Sequence, residues 1–254
     1  MTRILLLNPN TSADVTDRLV RAASPSLSPG STLVPMTAPR GVPYIATRAE
    51  AAIASGIVLD MLAEAEGSFD VAIVAAFGDP GLGGARELMS VPVIGLAEAA
   101  MLSACMLGQR FSIVSFAQAL GPWFRECVAM HGLLGRLANI KLLDSKFASV
   151  TNVQEEKEEL LVELALNAVE DDGADVIILA GAPLAGLAAR VRDRIPVPVV
   201  DPVIAAVKQA DLLVALNPKK ASAGTFRRPD PKSSIGLSPA LERLLLAEPA
   251  EARS

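Results

Sequence analysis

Three carboxylates stand where chemistry is readily done. Asp79 lies in the loop after the apolar run 71–75, Glu98 opens a helical stretch after Val93, Ile94 and Gly95, and Asp201 ends the run 197–200. In parallel α/β sheets ligands bind outside the carboxyl ends of the strands. A strand that runs into a carboxylate therefore presents an acid or base at the binding edge. Asp79 and Glu98 are the candidate catalytic groups. For all three acids the competing reading is a helix cap or a loop-fixing hydrogen bond. The same rule selects Asn8, Asn10, Thr11, Ala76, Phe77, Gly78, Ser115, Gly181, Ala182 and Pro183 as substrate-binding positions. Amide and hydroxyl side chains supply neutral donors there, and free N–H groups at helix starts hold anions. The expected ligand is small and polar, with a carboxylate or a ring imide. Tyr44, the only tyrosine, sits in the loop 41–45 and is expected at the pocket, as a wall residue ahead of a phenolic acid.

These positions recur because the chain repeats itself. The segment 70–81, DVAIVAAFGDPG, returns as 175–186, DVIILAGAPLAG, 105 residues later. VPVIGLAEAA at 91–100 returns as VPVVDPVIAA at 197–206, so one insertion separates the matched blocks. Apolar runs at 4–7, 31–35, 71–75, 91–96, 111–116, 140–143, 176–179 and 197–200 predict strands. Between them, patterns at 47–66, 97–107, 122–131, 153–171, 184–191 and 203–213 predict helices. Thr11 with Asp14, and Thr47 with Glu50, have the spacing of capping boxes. Strands alternating with helices predict parallel sheets with right-handed crossovers. Beyond residue 217 the pattern fails; a linker or wrapping arm precedes a short helix that Ser238 and Pro239 open through residue 246.

Composition narrows the function classes. Apolar residues make up 51% of 254 and aromatics 4%, which fits sheets covered by helices on both faces. A net charge of −5 with one Trp and one Tyr leaves no basic groove or stacking platform for nucleic acid. No apolar run approaches the ~18 residues that span a bilayer. Two cysteines, Cys105 and Cys127, make no disulfide framework, and a soluble cytoplasmic protein is expected. Cys105 reads as a core residue on a helix, Cys127 as a core or half-buried one, and His131 as a contact at a helix end. One histidine and unspaced cysteines predict no zinc site. The glutamates between 155 and 163 read as a solvated helical face. There is no phosphate-binding glycine loop, and no cofactor is expected.

Four motifs together resemble one family: NPNTS at 8–12, FGDPGL at 77–82, IGLAEAAM at 94–101, and VVD at 199–201 followed by AAVK at 205–208. They resemble the hydantoin racemase branch of the aspartate/glutamate racemase superfamily, over about residues 1–216. The resemblance implies two pseudo-symmetric flavodoxin-like parallel-sheet domains with the active site in the cleft between them. Residues 1–98 with about 202–216 would form the first domain, 99–201 the second, and 217–254 a C-terminal extension. It also implies a small-molecule substrate, no cofactor and a homo-oligomer. In that family two cysteines face the substrate α-carbon from opposite sides, and they fall at positions 76 and 181. Here those positions hold Ala76 and Gly181, which cannot move a proton. Replacing two thiols by a methyl and a hydrogen is expected to open space at the cleft centre. The expected function is a family enzyme acting on a hydantoin-like or carboxylate-bearing substrate by a cysteine-independent mechanism. The alternatives are a non-thiol decarboxylase, lyase or ring-opening hydrolase, or a silent small-acid-binding protein.

Overall fold

A computed structural model describes residues 1–144 and 152–247; residues 248–254 of the expected extension fall outside it. The first half runs β1 (Thr2–Asn8), α1 (Ala13–Ala23), β2 (Ser31–Thr37), α2 (Arg48–Glu64), β3 (Val71–Val74), α3 (Leu82–Leu88), β4 (Val93–Gly95) and α4 (Leu96–Leu107). The second half runs β5 (Phe111–Ser115), α5 (Gly121–Met130), β6 (Leu137–Leu142), α6 (Val153–Glu170), β7 (Val176–Leu179), α7 (Leu187–Val191), β8 (Val199–Val200) and α8 (Pro202–Leu216). A last helix, α9 (Pro239–Leu246), follows the arm.

The repeat becomes two four-stranded parallel sheets with the same strand order, β2-β1-β3-β4 and β6-β5-β7-β8. The central strands are continuous apolar runs because helices cover both faces: Ile4 to Leu7 and Val71 to Val74 are all fully buried. The two halves then exchange their last helices. α4 leaves the first sheet and packs on β5, β7 and β8, while α8 leaves the second sheet and packs on β1, β3 and β4. α4 and α8 also pack on each other, so one apolar core runs through both halves.

Local signals place the helix starts. Thr47 and Glu50 form the expected capping box on α2, each side chain accepting from the other's N–H. The box expected at Thr11 and Asp14 is absent; Ser12 caps α1 instead, accepting from Val15 N–H. The reason is the turn before it. Asn10 Oδ1 accepts from Ser12 N–H at 2.9 Å, and Asn8 Nδ2 donates to the Ser12 carbonyl at 3.1 Å, which fixes Ser12 in the extended conformation a cap needs. The helix expected over 184–191 is divided. A 3-10 turn at Ala182–Leu184 precedes Gly186 at φ +89°, and α7 starts only after it. Cys105 is half-buried rather than a core residue, whereas Cys127 is buried as expected.

The arm returns to the first half. Ser238 Oγ accepts from Leu241 N–H to cap α9 and donates to Asp60 at 2.9 Å. Ala240, Leu241 and Leu244 then bury against the outer face of the first sheet with α2 and α3. No helix among the described residues is long and apolar enough to cross a membrane.

Candidate functional site

The strand ends of β1, β3, β5 and β7 meet at a cavity between the two sheets. Its wall is made of Asn10, Tyr44 and Ile45, then Ala75, Ala76 and Phe77, then Phe116, Leu120, Trp123 and Phe124, and finally Gly181, Ala182 and Pro183. Seven of the expected binding positions are among them: Asn10, Tyr44, Ala76, Phe77, Gly181, Ala182 and Pro183. Ala76 and Gly181 thus share one cavity across the cleft, as the matched loops require.

Four expected positions do not line the wall, and each supports it instead. Asn8 is fully buried; its amide donates to Asn10 Oδ1, to the Ser12 carbonyl and to Thr16, which orients Asn10 toward the cavity. Thr11 N–H donates to the Val42 carbonyl, tying the loop that carries Tyr44 to the first strand end. Gly78 lies under the Trp123 ring, at φ +120°, so closely that any Cβ would collide with it. Ser115 donates to the Ala180 carbonyl at 2.8 Å.

The space expected at the cleft centre is largely filled. A Cβ on Gly181 would come within 2.8 Å of the Phe116 ring, and φ +109° there disfavours any side chain. Phe116 and Tyr44 rings lie 5.8 Å apart, and Phe77 and Phe124 rings 4.8 Å apart. The remaining cavity is about 30 Å³, room for a water but not for a bulkier ligand. Five of the chain's nine aromatic side chains gather here. The sequence reading missed Ile45, Ala75, Leu120, Trp123 and Phe124; Trp123 and Phe124 lie on a helix that looks like ordinary core, Leu120 on the turn just before it, and no local pattern marks them.

Asp79 and Glu98 meet each other behind this wall rather than at it. Asp79 is buried, and its two oxygens accept from the Ala97 and Glu98 N–H groups at 2.8 Å each, holding the start of α4. His131, at the end of α5, places Nε2 3.0 Å from Asp79 Oδ2 and Nδ1 3.5 Å from Glu98 Oε1. Arg86 forks onto Glu98 from the other side. Burial would lower the His131 pKa, but Asp79 and then Glu98 outweigh it and hold it at about 9. Burial also opposes ionisation of Glu98, yet His131 and Arg86 bring it down to about 2. Burial wins at Asp79, pushing its carboxyl up against the pull of His131 and the two amides. The Cys127 thiol is held well up by burial and by the two carboxylates, so it stays protonated.

Asp79, Cys127 and His131 have ligand-type atoms within 4.8 Å of one another, a convergence no sequence spacing announces. Asp79 and His131 use those atoms on each other and on the helix amides, so the group reads as a hydrogen-bonded cluster. Asp201 behaves in kind: it accepts from Gly186 N–H at 2.6 Å and Val203 N–H at 3.0 Å, capping α8. Asp79 and Asp201 thus occupy capping and loop-fixing positions, while Glu98 is held in ion pairs with Arg86 and His131.

Comparison with known proteins agrees with this architecture. Residues 4–210 match the Asp/Glu/Hydantoin racemase family. A hydantoin racemase of Paenarthrobacter aurescens is 34% identical over 235 residues, covering 92% of this chain and 100% of that one. An allantoin racemase from Klebsiella pneumoniae superposes with a TM-score of 0.89 at 34% identity, over 95% of this chain and 99% of that one. An allantoin racemase from Pseudomonas fluorescens does so with a TM-score of 0.86 at 33% identity, over 92% and 100%. With two like-ordered parallel sheets, a cavity between their strand ends, and matches over most of its length, this chain belongs to the Asp/Glu/hydantoin racemase family.

Proposed function

We propose that this protein is an enzyme of the family that acts on a hydantoin-like or carboxylate-bearing small molecule, without thiols at positions 76 and 181. One observation carries the reading. The Tyr44 hydroxyl is buried at the cavity and has no hydrogen-bond partner among the described residues. An orphaned buried hydroxyl costs about 1–3 kcal/mol. A ligand oxygen that accepts from it removes that cost. Burial, then the charge of Glu50, raises the phenol pKa far above neutral, so Tyr44 donates and does not act as a base. A ring carbonyl or a carboxylate is the matching acceptor, and relatives named for hydantoin and allantoin fit that chemistry. Asn10 supplies the second polar group. On this reading the protein works without a cofactor, in the cytoplasm, as a homo-oligomer.

A second reading, ligand binding without turnover, has its own support. Asp79 and Glu98 are engaged with His131, Arg86 and helix amides, which leaves Tyr44 as the titratable group on the cavity wall. The test is a thermal-shift screen of hydantoins, cyclic imides and small carboxylates, repeated with Tyr44→Phe. A stabilising ligand is expected, with affinity reduced about tenfold in Tyr44→Phe, which corresponds to ~1.4 kcal/mol. Equal affinity in the two proteins would remove Tyr44 from the site. Following the bound compound by NMR and polarimetry then separates racemisation, decarboxylation or ring opening from silent binding.

A further inference from the structure

A cavity of about 30 Å³ cannot admit a hydantoin ring, and of the residues around it only Tyr44 and Gly181 are more than slightly exposed. Some part of the wall must move for the proposed ligand to enter. The contacts of α5 point to which part. Its first half forms the wall through Trp123 and Phe124, with Leu120 just before it. The helix belongs to the second half of the chain and packs there on β6, but several of its side chains and its C-terminal cap reach across to the first half. Trp123 covers Gly78, and the Phe124 ring meets Phe77. Glu126 takes a forked ion pair from Arg48 at the start of α2, in the open solvent where such pairs hold weakly. At the far end His131 sits between Asp79 and Glu98, both from the first half.

We propose that α5 is the movable wall of the cavity and that His131 is its positioning residue, the clamp that keeps the wall shut. The inference rests on the reading that the cavity receives a ligand. Its physical basis is the environment of the two ionic contacts. The Arg48–Glu126 pair is exposed, whereas the His131 side chain is 10% exposed and that of Asp79 fully buried. A charge-assisted contact away from water is roughly twice as strong as a neutral one. Asp79 and Glu98 stay in place when α5 moves, because Asp79 is bonded to the α4 amides and Glu98 to Arg86. The seat is therefore preformed, with Glu98 held ionised by Arg86, and closure needs only the return of the histidine. The groups facing His131 are Asp79, Glu98 and, on its own helix, Cys127; Arg86 acts through Glu98.

Two built-in reporters lie on α5. Trp123 is the only tryptophan and is buried, and Cys127 is a buried thiol four residues from His131. The experiment uses the whole protein with Cys105→Ser, so that Cys127 is the only thiol, and no ligand. At pH 7.5, His131→Ala is expected to raise the rate of Cys127 alkylation at least tenfold and the acrylamide quenching of Trp123 at least twofold. The increase should be insensitive to low urea, the mark of local rather than global opening. Arg48→Gln is expected to change each by less than twofold. Should His131→Ala fail to fold, quenching of the otherwise unaltered protein between pH 7 and 10 takes its place, since acrylamide is uncharged; a rise of about twofold as the imidazolium is lost is expected. Cys127 labelling and Trp123 quenching within twofold of the parent in folded His131→Ala, or a flat pH profile, overturns the clamp. Because no ligand is used, that result leaves the Tyr44 binding test standing, and an empty ligand screen leaves this one standing.

Discussion

The loops after β3 and β7 are two copies of one segment, and they solve the same problem with their residues exchanged. Each must be tied to the helix that leaves the neighbouring strand. After β3 the carboxylate is in the loop: Asp79 reaches the α4 amides, and the end of β4 is Gly95. After β7 the carboxylate is at the end of the neighbouring strand: Asp201, the counterpart of Gly95, reaches back to the Gly186 amide and caps α8. Each half keeps one carboxylate and one bridge, in opposite directions. The difference matters across the cleft. Asp79 has an oxygen within reach of His131 on the other half, whereas the hydrogen bonds of Asp201 go to Gly186 and Val203 of its own loop and helix. A repeat that began as two equal halves has become one that anchors the movable wall and one that is self-contained.

Gly95→Ala tests the exchange most severely. A Cβ there would fall on the Asp79 carboxyl, because that carboxyl occupies the space its counterpart fills from the strand side. Overpacking and disruption of the buried charge together are expected to cost about 3 kcal/mol or more in urea unfolding. A cost below ~1 kcal/mol would mean the Asp79 bridge gives way freely. Asp79→Asn against Asp201→Asn comes next. Asn keeps the shape and tolerates the φ of +50° at position 79. Both variants replace one accepting oxygen by a donor, but only Asp79→Asn also loses an imidazolium partner. Its expected cost at pH 7 is about 1.5–3 kcal/mol against ~1 kcal/mol for Asp201→Asn; equal costs would erase the distinction between the halves.

The excess should also vanish with pH in one direction. His131 has its pKa raised in the folded protein, from 6.5 to about 9. Its contribution is therefore complete below about 6.5 and is lost as pH rises through about 9. Unfolding curves of the parent and Asp79→Asn should converge from pH 7 to 10, while those of the parent and Asp201→Asn keep their spacing. The smallest effect lies away from the cleft. Ser238→Ala removes the cap that seats α9 on the first half and is expected to cost about 1 kcal/mol. A protease should then release the C-terminal helix without changing the Trp123 fluorescence.

Much of the cavity was legible because a strand end is legible. An apolar run followed by polar or small residues marks where backbone leaves a buried sheet, and Asn10, Ala76, Phe77 and Gly181 were found that way. Trp123 and Phe124 were not, since a helical wall residue and a helical core residue have the same pattern. The roles of Asn8 and Ser115 differed from expectation for a related reason: a buried polar group satisfies its nearest partner first. For Asn8 that partner was the turn 10–12, and for Ser115 the Ala180 carbonyl. The vacated space expected at Gly181 closed because a neighbouring ring packs against a missing Cβ.

The sequence alone pointed to repeated parallel α/β units and to Ala76 and Gly181 at their matched strand ends, because period, repeat and strand-end rules are local; the strand order came with the structure. The sequence also determined that neither of those two residues moves a proton. Only the tertiary structure decided that Asp79 and Glu98 turn away from the cavity toward His131, that five aromatic rings largely fill it, and that α5 is held from across the cleft. Those contacts join residues tens of positions apart through burial and charge, and no local pattern encodes which of the available partners a buried group will meet.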